Sequence, residues 1–139
     1  MFIGHFAVGL ASKQVAPTAS LGVLIAAPLL LDLMWPFLLL ADWEKVRIDV
    51  GNTAFTPLEF ISYPYSHSLA MAIVWAALVG LGYWTVTRYP TGAMMIGLGV
   101  VSHWVFDAVT HRPDLPLFPG GSTRVGLGLW NSVSGTLAR

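Results

Sequence analysis

The sequence predicts an all-α fold: a polytopic transmembrane helical bundle with about three spanning helices plus an N-terminal half-helix, in one membrane-embedded domain over residues 1–139. Three observations carry that prediction. Hydrophobic residues make up 55% of the chain and charged residues 10%, where a soluble domain carries roughly 25% charged residues. Three apolar stretches are each long enough to cross a hydrocarbon core of about 30 Å, which takes roughly 20 helical residues. Aromatic side chains collect at the ends of those stretches, as they do at membrane interfaces.

The elements follow in chain order. The opening "MFIGHFAVGLA" is apolar but too short to span at about 1.5 Å per residue, so it reads as a half-helix packed among the others. The first span, about 19 to 41, is "ASLGVLIAAPLLLDLMWPFLLLA", with Asp32 as its only charge. Pro28 and Pro36 flank Asp32 and predict a kink or break there. Residues 42–66 read as a polar, mixed-charge loop containing Pro57 and Pro64. The second span, about 68 to 87, carries Ala72, Ala76 and Gly80 at a spacing of four, a small-residue face suited to close helix packing. The short link "RYPT" then forces an antiparallel pairing with the third span, about 92 to 110. From residue 112 the tail is rich in Pro and Gly and reads as irregular. Trp43, Tyr63, Tyr65, Tyr83, Trp84 and Tyr89 form the interfacial belt.

Charge and composition exclude several functions. The seven basic and seven acidic residues balance, so no basic excess points to nucleic acid. Cysteine is absent, which rules out disulfides and thiolate metal sites. No charged region precedes the first apolar stretch, and a cleaved signal peptide is not expected. The partners implied are the lipid bilayer and a substrate reached from it. The oligomeric state is not specified by the sequence.

Topology brings the polar intrusions together. The hairpin of spans two and three puts His67, before span two, on the same side as the end of span three. The half-helix adds His5, and span one adds Asp32 nearer its 41 end. All four histidines converge on one half of the bilayer. In "SHWVFDAVTHRPD", His103, Asp107 and His111 recur every four residues and share one helical stripe. Imidazole and carboxylate from one face suit Zn²⁺, or Mn²⁺ or Fe²⁺, better than an all-oxygen Ca²⁺ or Mg²⁺ site. Ser66 is the expected N-cap that aims His67 towards this stripe. Asp32, buried without a partner, would cost about 2.5–3.5 kcal/mol on insertion scales, which a cation or Arg112 would offset. The candidate metal ligands are therefore His5, Asp32, His67, His103, Asp107 and His111.

Each residue also has a plainer reading. A His near a helix end is commonly an interfacial or hydrogen-bonded residue, which covers His5. "HxxxD" is equally the spacing of an intrahelical hydrogen bond. His111 can sit at a helix C-terminus because a cation is favoured there. Asp114, between Pro113 and Pro116, can serve as a turn-former, and Asp32 as a buried cap. Taken jointly these separate explanations strain, and a shared divalent-metal site accounts for all of the residues at once.

The segments "GHFAVG", "APLLLDLMWP", "YSHSLAMA" and "SHWVFDAVTHRPDLPLFPG" resemble the YdjM-like family of bacterial inner-membrane metal-dependent hydrolases, in the same order over most of the chain. The resemblance implies a helical membrane domain with a His/Asp metal centre, hydrolase activity and location in the bacterial inner (cytoplasmic) membrane. The matching positions are His5, Asp32, His67, His103 and Asp107, with His111 and Asp114 matching less closely. Two departures stand out. Relatives carry a fuller acidic motif where this chain has the single Asp32. The closing "GLGLWNSVSGTLAR" looks like the start of a further helix present in longer relatives. A looser similarity links the "HxxxD" pattern to zinc-dependent phospholipases C and related nucleases.

The expected function is metal-dependent hydrolysis, with water activated against an ester or phosphoester of a lipid or lipid-linked substrate. An uncoordinated carboxylate, Asp32 or Asp114, is the candidate general base. Arg112 is the candidate for holding an anionic headgroup. The alternatives are a metal-binding, transporter-like protein and a structural membrane protein without hydrolytic activity. Lys45, Arg47, Arg112 and Arg124 on the site side, against Lys13 and Arg88 opposite, favour a cytoplasmic-side site.

Overall fold

The computed structural model describes residues 2–54 and 56–131. The half-helix is α1 (Phe2–Val15), and the three long helices are α2 (Leu21–Leu40), α4 (Leu69–Thr87) and α5 (Pro90–Thr110), with a one-turn α3 (Pro64–His67) between α2 and α4. All three long helices are long and apolar enough to cross a membrane. Their outward faces carry exposed Leu33, Phe37, Ile73, Leu78, Leu98 and Val105, apolar surface suited to lipid. The chain is a membrane protein.

Helix accounts for 62% of the chain and strand for 10%, so the all-α expectation holds only approximately. Two small antiparallel sheets are the difference. The stretch expected to be a polar loop folds instead into β1 (Lys45–Ile48) and β2 (Leu58–Ser62), with Val46 opposite Phe60 and Arg47 opposite Glu59. Arg47 bonds the Glu59 carboxylate through Nε at 2.7 Å. In the tail, expected to be irregular, β3 (Leu115–Pro116) pairs with β4 (Arg124–Val125). Leu129–Asn131 then form one turn of 3₁₀ helix. The rest of the stretch expected to open a further helix, residues 132–139, lies outside the described residues.

Packing explains how α1, α2 and α5 come together. Gly9 lets α1 cross α2 at backbone distance, since a Cβ there would stand 2.7 Å from Ile25 Cα and 2.9 Å from the Leu24 carbonyl oxygen. Lys13 then closes the turn, its ammonium donating to the carbonyls of Pro17 (2.8 Å) and Ala19 (2.7 Å). Helix α2 runs unbroken through Pro28 and Pro36. Each proline lacks the amide that would bond the carbonyl four residues earlier, those of Leu24 and Asp32. The expected small-residue face is present: Ala72, Ala76 and Gly80 are buried, and a Cβ at Gly80 would lie 3.1 Å from the Ala93 carbonyl oxygen on α5. Arg88 closes this hairpin in the left-handed region at φ 56°, its amide donating to the Trp84 carbonyl. A non-glycine residue rarely adopts that conformation, and here it permits a two-residue connection before Pro90.

Candidate metal centre

Four elements deliver the polar residues to one place. Helix α1 brings His5, α2 brings Asp32, α3 brings His67, and α5 brings His103 and Asp107 with His111 as its C-cap. His5 and His103 are fully buried, His67 and His111 are buried, and Asp107 is 3% exposed. Asp107 is the hub. Its Oδ2 lies 3.0 Å from His103 Nε2 and 3.8 Å from Nε2 of both His67 and His111. Its Oδ1 lies 3.6 Å from His5 Nε2. Asp32 Oδ1 is 3.5 Å from His67 Nε2 and 3.6 Å from His103 Nε2. The six residues expected as ligands are thus brought together.

The spacing is compatible with a coordination shell. A tetrahedral ion with bonds of about 2.0–2.1 Å separates its ligand atoms by about 3.3 Å. Two overlapping sets, His5–His103–Asp107 and Asp32–His67–His103, keep their ligand atoms within 4.8 Å of one another. The cluster could hold a metal ion.

The outer hydrogen bonds fix which ring nitrogen faces inward. His103 Nδ1 is 2.7 Å from the Pro28 carbonyl oxygen, which only accepts, so the ring donates there and turns Nε2 to the cluster. His67 Nδ1 is 2.6 Å from Ser66 Oγ. That hydroxyl already donates to Glu44 Oε2 at 2.6 Å, so it accepts from His67. His111 Nδ1 faces Asp114 Oδ1 at 3.3 Å, again an acceptor. Three imidazoles therefore hold Nδ1 against an acceptor and turn Nε2 towards carboxylate oxygens, and the Nε2 atoms of His67 and His103 stand 3.4 Å apart. A proton on Nε2 lets the ring donate to Asp107, 3.0 Å away for His103; without that proton the same atom offers a lone pair to a cation. Metal-ligating histidines characteristically donate the other ring N–H to a carbonyl or carboxylate in this way.

Several residues stand elsewhere than the sequence suggested. His67 ends α3, and the N-cap of α4 is Ser68, whose hydroxyl accepts from the Met71 amide; Ser66 acts on the imidazole instead. Asp32 caps nothing, sitting mid-helix with its carboxylate on His67 and His103. Asp114 makes a turn, its amide bonding the Arg112 carbonyl at 2.6 Å, and also accepts from Tyr63 Oη at 3.0 Å. Arg112 turns to Asp114 (3.9 Å) and the Asn52 carbonyl oxygen (3.5 Å), one step removed from the ligand atoms.

Tyr63 is a correction to the interfacial belt. It is 1% exposed and roofs the site, with its ring 5.5 Å from that of His67. Burial, reinforced by the Asp114 carboxylate, pushes its phenol well above the ordinary range, so it stays a donor. Phe60 from β2 covers His111 at 5.1 Å, and Trp130 stacks near it at 4.4 Å. These contacts explain why the 42–66 segment forms a hairpin: it lays Phe60 over the centre.

Glu44 went unrecognised in the sequence. It is 1% exposed, and its Oε1 accepts from the amides of Tyr65 (2.8 Å) and Ser66 (2.7 Å). Nothing local marks it, because an acid just past the end of a span is ordinarily solvated. Comparison with protein-family models, curated proteins and solved structures returns no match.

Proposed function

We propose that this chain is a membrane-embedded, metal-dependent hydrolase acting on a phosphoester of a lipid or lipid-linked substrate, as its resemblance to the YdjM-like family implies. One observation carries the reading: hydrogen bonds to Pro28 and Ser66 occupy Nδ1 of His103 and His67 and turn both Nε2 atoms onto the carboxylates of Asp32 and Asp107. Those two carboxylates balance the charge of one divalent ion, which makes burial in a low-dielectric helix bundle affordable. The mixed nitrogen and oxygen donors favour Zn²⁺, with Mn²⁺ or Fe²⁺ next.

When bound, the ion supplies Lewis-acid polarisation of the phosphoryl oxygen and lowers the pKa of the attacking water. The chain's own residues divide the remaining work. His5, His67, His103, His111 and Asp107 would hold the ion among buried side chains. Asp32 differs, because its side chain is 39% exposed where the others are at most 5%. It is the edge at which substrate meets the site, and it takes the proton from water. Asp114, bonded to His111 and Tyr63, orients a ligand. Arg112, 3.9 Å from Asp114, pairs with an anionic headgroup.

Depth and roofing support a lipid substrate. Asp32 lies eight residues before the end of α2 and His103 seven before the end of α5, which is about 10–12 Å inside the helix ends. Phe60, Tyr63 and Trp130 pack against His111 and His67, while Asp32, on an apolar spanning helix, keeps an exposed edge.

The test is purification in detergent, elemental analysis, and release of phosphorylated headgroup from phospholipid with and without chelator. Stoichiometric metal and chelator-sensitive turnover, restored by zinc, support the reading. A metal-free protein that also fails to take up zinc would sink it, and metal flux into vesicles without turnover would select the transporter.

A further inference from the structure

Glu44 does two jobs at once. Through Oε1 it accepts the amides of Tyr65 and Ser66, free donors of the first turn of α3. Through Oε2 it accepts the Ser66 hydroxyl, whose oxygen is then left to accept from His67 Nδ1. All three side chains are buried: Glu44 1%, Ser66 0% and His67 4% exposed. A hydroxyl has one proton, so its direction is decided by its stronger-accepting neighbour. The carboxylate is that neighbour.

We infer that Glu44 is a positioning residue that polarises a Glu44–Ser66–His67 chain and thereby locks His67 with its lone pair on Nε2, facing Asp32 and Asp107. The inference rests on the metal-centre reading and adds to it a remote determinant, 23 residues before the ligand it controls. Capping of α3 alone does not require the second oxygen to be an acceptor, whereas polarising Ser66 does.

Glu44→Gln separates the two jobs. The amide oxygen still accepts from the Tyr65 and Ser66 amides, so the cap survives. The amide NH₂ now faces Ser66 Oγ and donates to it. Ser66 must then donate to His67 Nδ1, and the imidazole proton moves to Nε2, where it points at the metal position. Ser66→Ala only leaves His67 Nδ1 without its acceptor. A cap-only Glu44 predicts that Glu44→Gln is the milder change; a polarising Glu44 predicts that it is the harsher one.

The experiment is zinc affinity by competition with a chromophoric chelator, on full-length protein in detergent, for the parent, Glu44→Gln, Ser66→Ala and the double variant. The absorption of cobalt-loaded protein reports coordination geometry, and thermal unfolding of the metal-free forms reports the cap. Glu44→Gln is expected to weaken zinc binding about 10- to 100-fold, the range for outer-shell partners of ligating histidines. It should alter the cobalt spectrum and leave metal-free unfolding near that of the parent. Ser66→Ala should weaken binding less, and the double variant should return to the Ser66→Ala value, because without the hydroxyl there is nothing left to reverse. Equal affinities for the parent and Glu44→Gln, or a double variant worse than both singles, would overturn the relay. Absence of zinc binding by the parent would instead overturn the metal centre, and the relay as a metal-positioning device with it.

Discussion

Replacing Asp107 by asparagine should have opposite consequences in the presence and absence of metal. Asp107 is 3% exposed and its two oxygens stand 3.0–3.8 Å from the Nε2 atoms of four histidines. With an ion bound, the substitution removes a ligand charge and leaves the site one positive charge in excess. Breaking a buried ionic pair costs about 3–5 kcal/mol, which at about 1.4 kcal/mol per tenfold is roughly a 150- to 4,000-fold rise in the metal Kd. At a zinc concentration of about 100 times the parent Kd, the parent gains about 2.7 kcal/mol of stability from binding. The variant at the same concentration gains about 0.3 kcal/mol or less. Without metal the sign changes. Where the inward nitrogens are deprotonated, the asparagine NH₂ can donate to lone pairs that a carboxylate cannot satisfy, so metal-free Asp107→Asn should be no less stable than metal-free parent. The assay is unfolding in detergent with chelator and with zinc, alongside a competition titration. If metal-free Asp107→Asn lost about 3 kcal/mol and zinc left the parent unshifted, Asp107 would be the anchor of a structural His–Asp network, and the coordination argument would be refuted.

Three other outcomes are expected. Asp32→Asn should lower kcat by about 10²–10⁴-fold, the range for loss of a general base, while raising the zinc Kd less than Asp107→Asn does; steady-state kinetics beside zinc titration checks this. Gly9→Ala should cost about 1–3 kcal/mol by overpacking α1 against the α2 backbone, and should weaken zinc binding by shifting His5; unfolding and titration of one sample read both. Tyr63 has a folded-state pKa raised above its unfolded value, so its contribution to stability is complete below about pH 10 and is lost as pH rises further. Tyr63→Phe should therefore flatten the alkaline fall in stability, at a cost near neutral pH of about 1–2 kcal/mol from Asp114's lost donor; urea unfolding across pH checks both parts.

How much of the site was legible depends on sequence distance. His103, Asp107 and His111 fall on one stripe because helical spacing dictates it, and that was readable without coordinates. His67 became assignable because a four-residue link leaves spans two and three only an antiparallel arrangement. Glu44 was not legible: its bonds to Ser66 cross 22 residues of hairpin, and its burial exists only once β1 and β2 have folded over the site. Tyr63 looked like a belt residue for the same reason. The strands themselves were missed because four- and five-residue segments carry little periodicity, and what stabilises them is Phe60 packing on Trp35, Tyr63 and His111.

The sequence by itself determined the membrane class, the number of long helices, their pairing and the membership of the His/Asp cluster, because apolar length, helical period and short links are local constraints. The tertiary structure alone decided which ring nitrogen each histidine turns inward. Which nitrogen faces the cluster depends on what holds the other one, and for His103 that partner is the Pro28 carbonyl, 75 residues away.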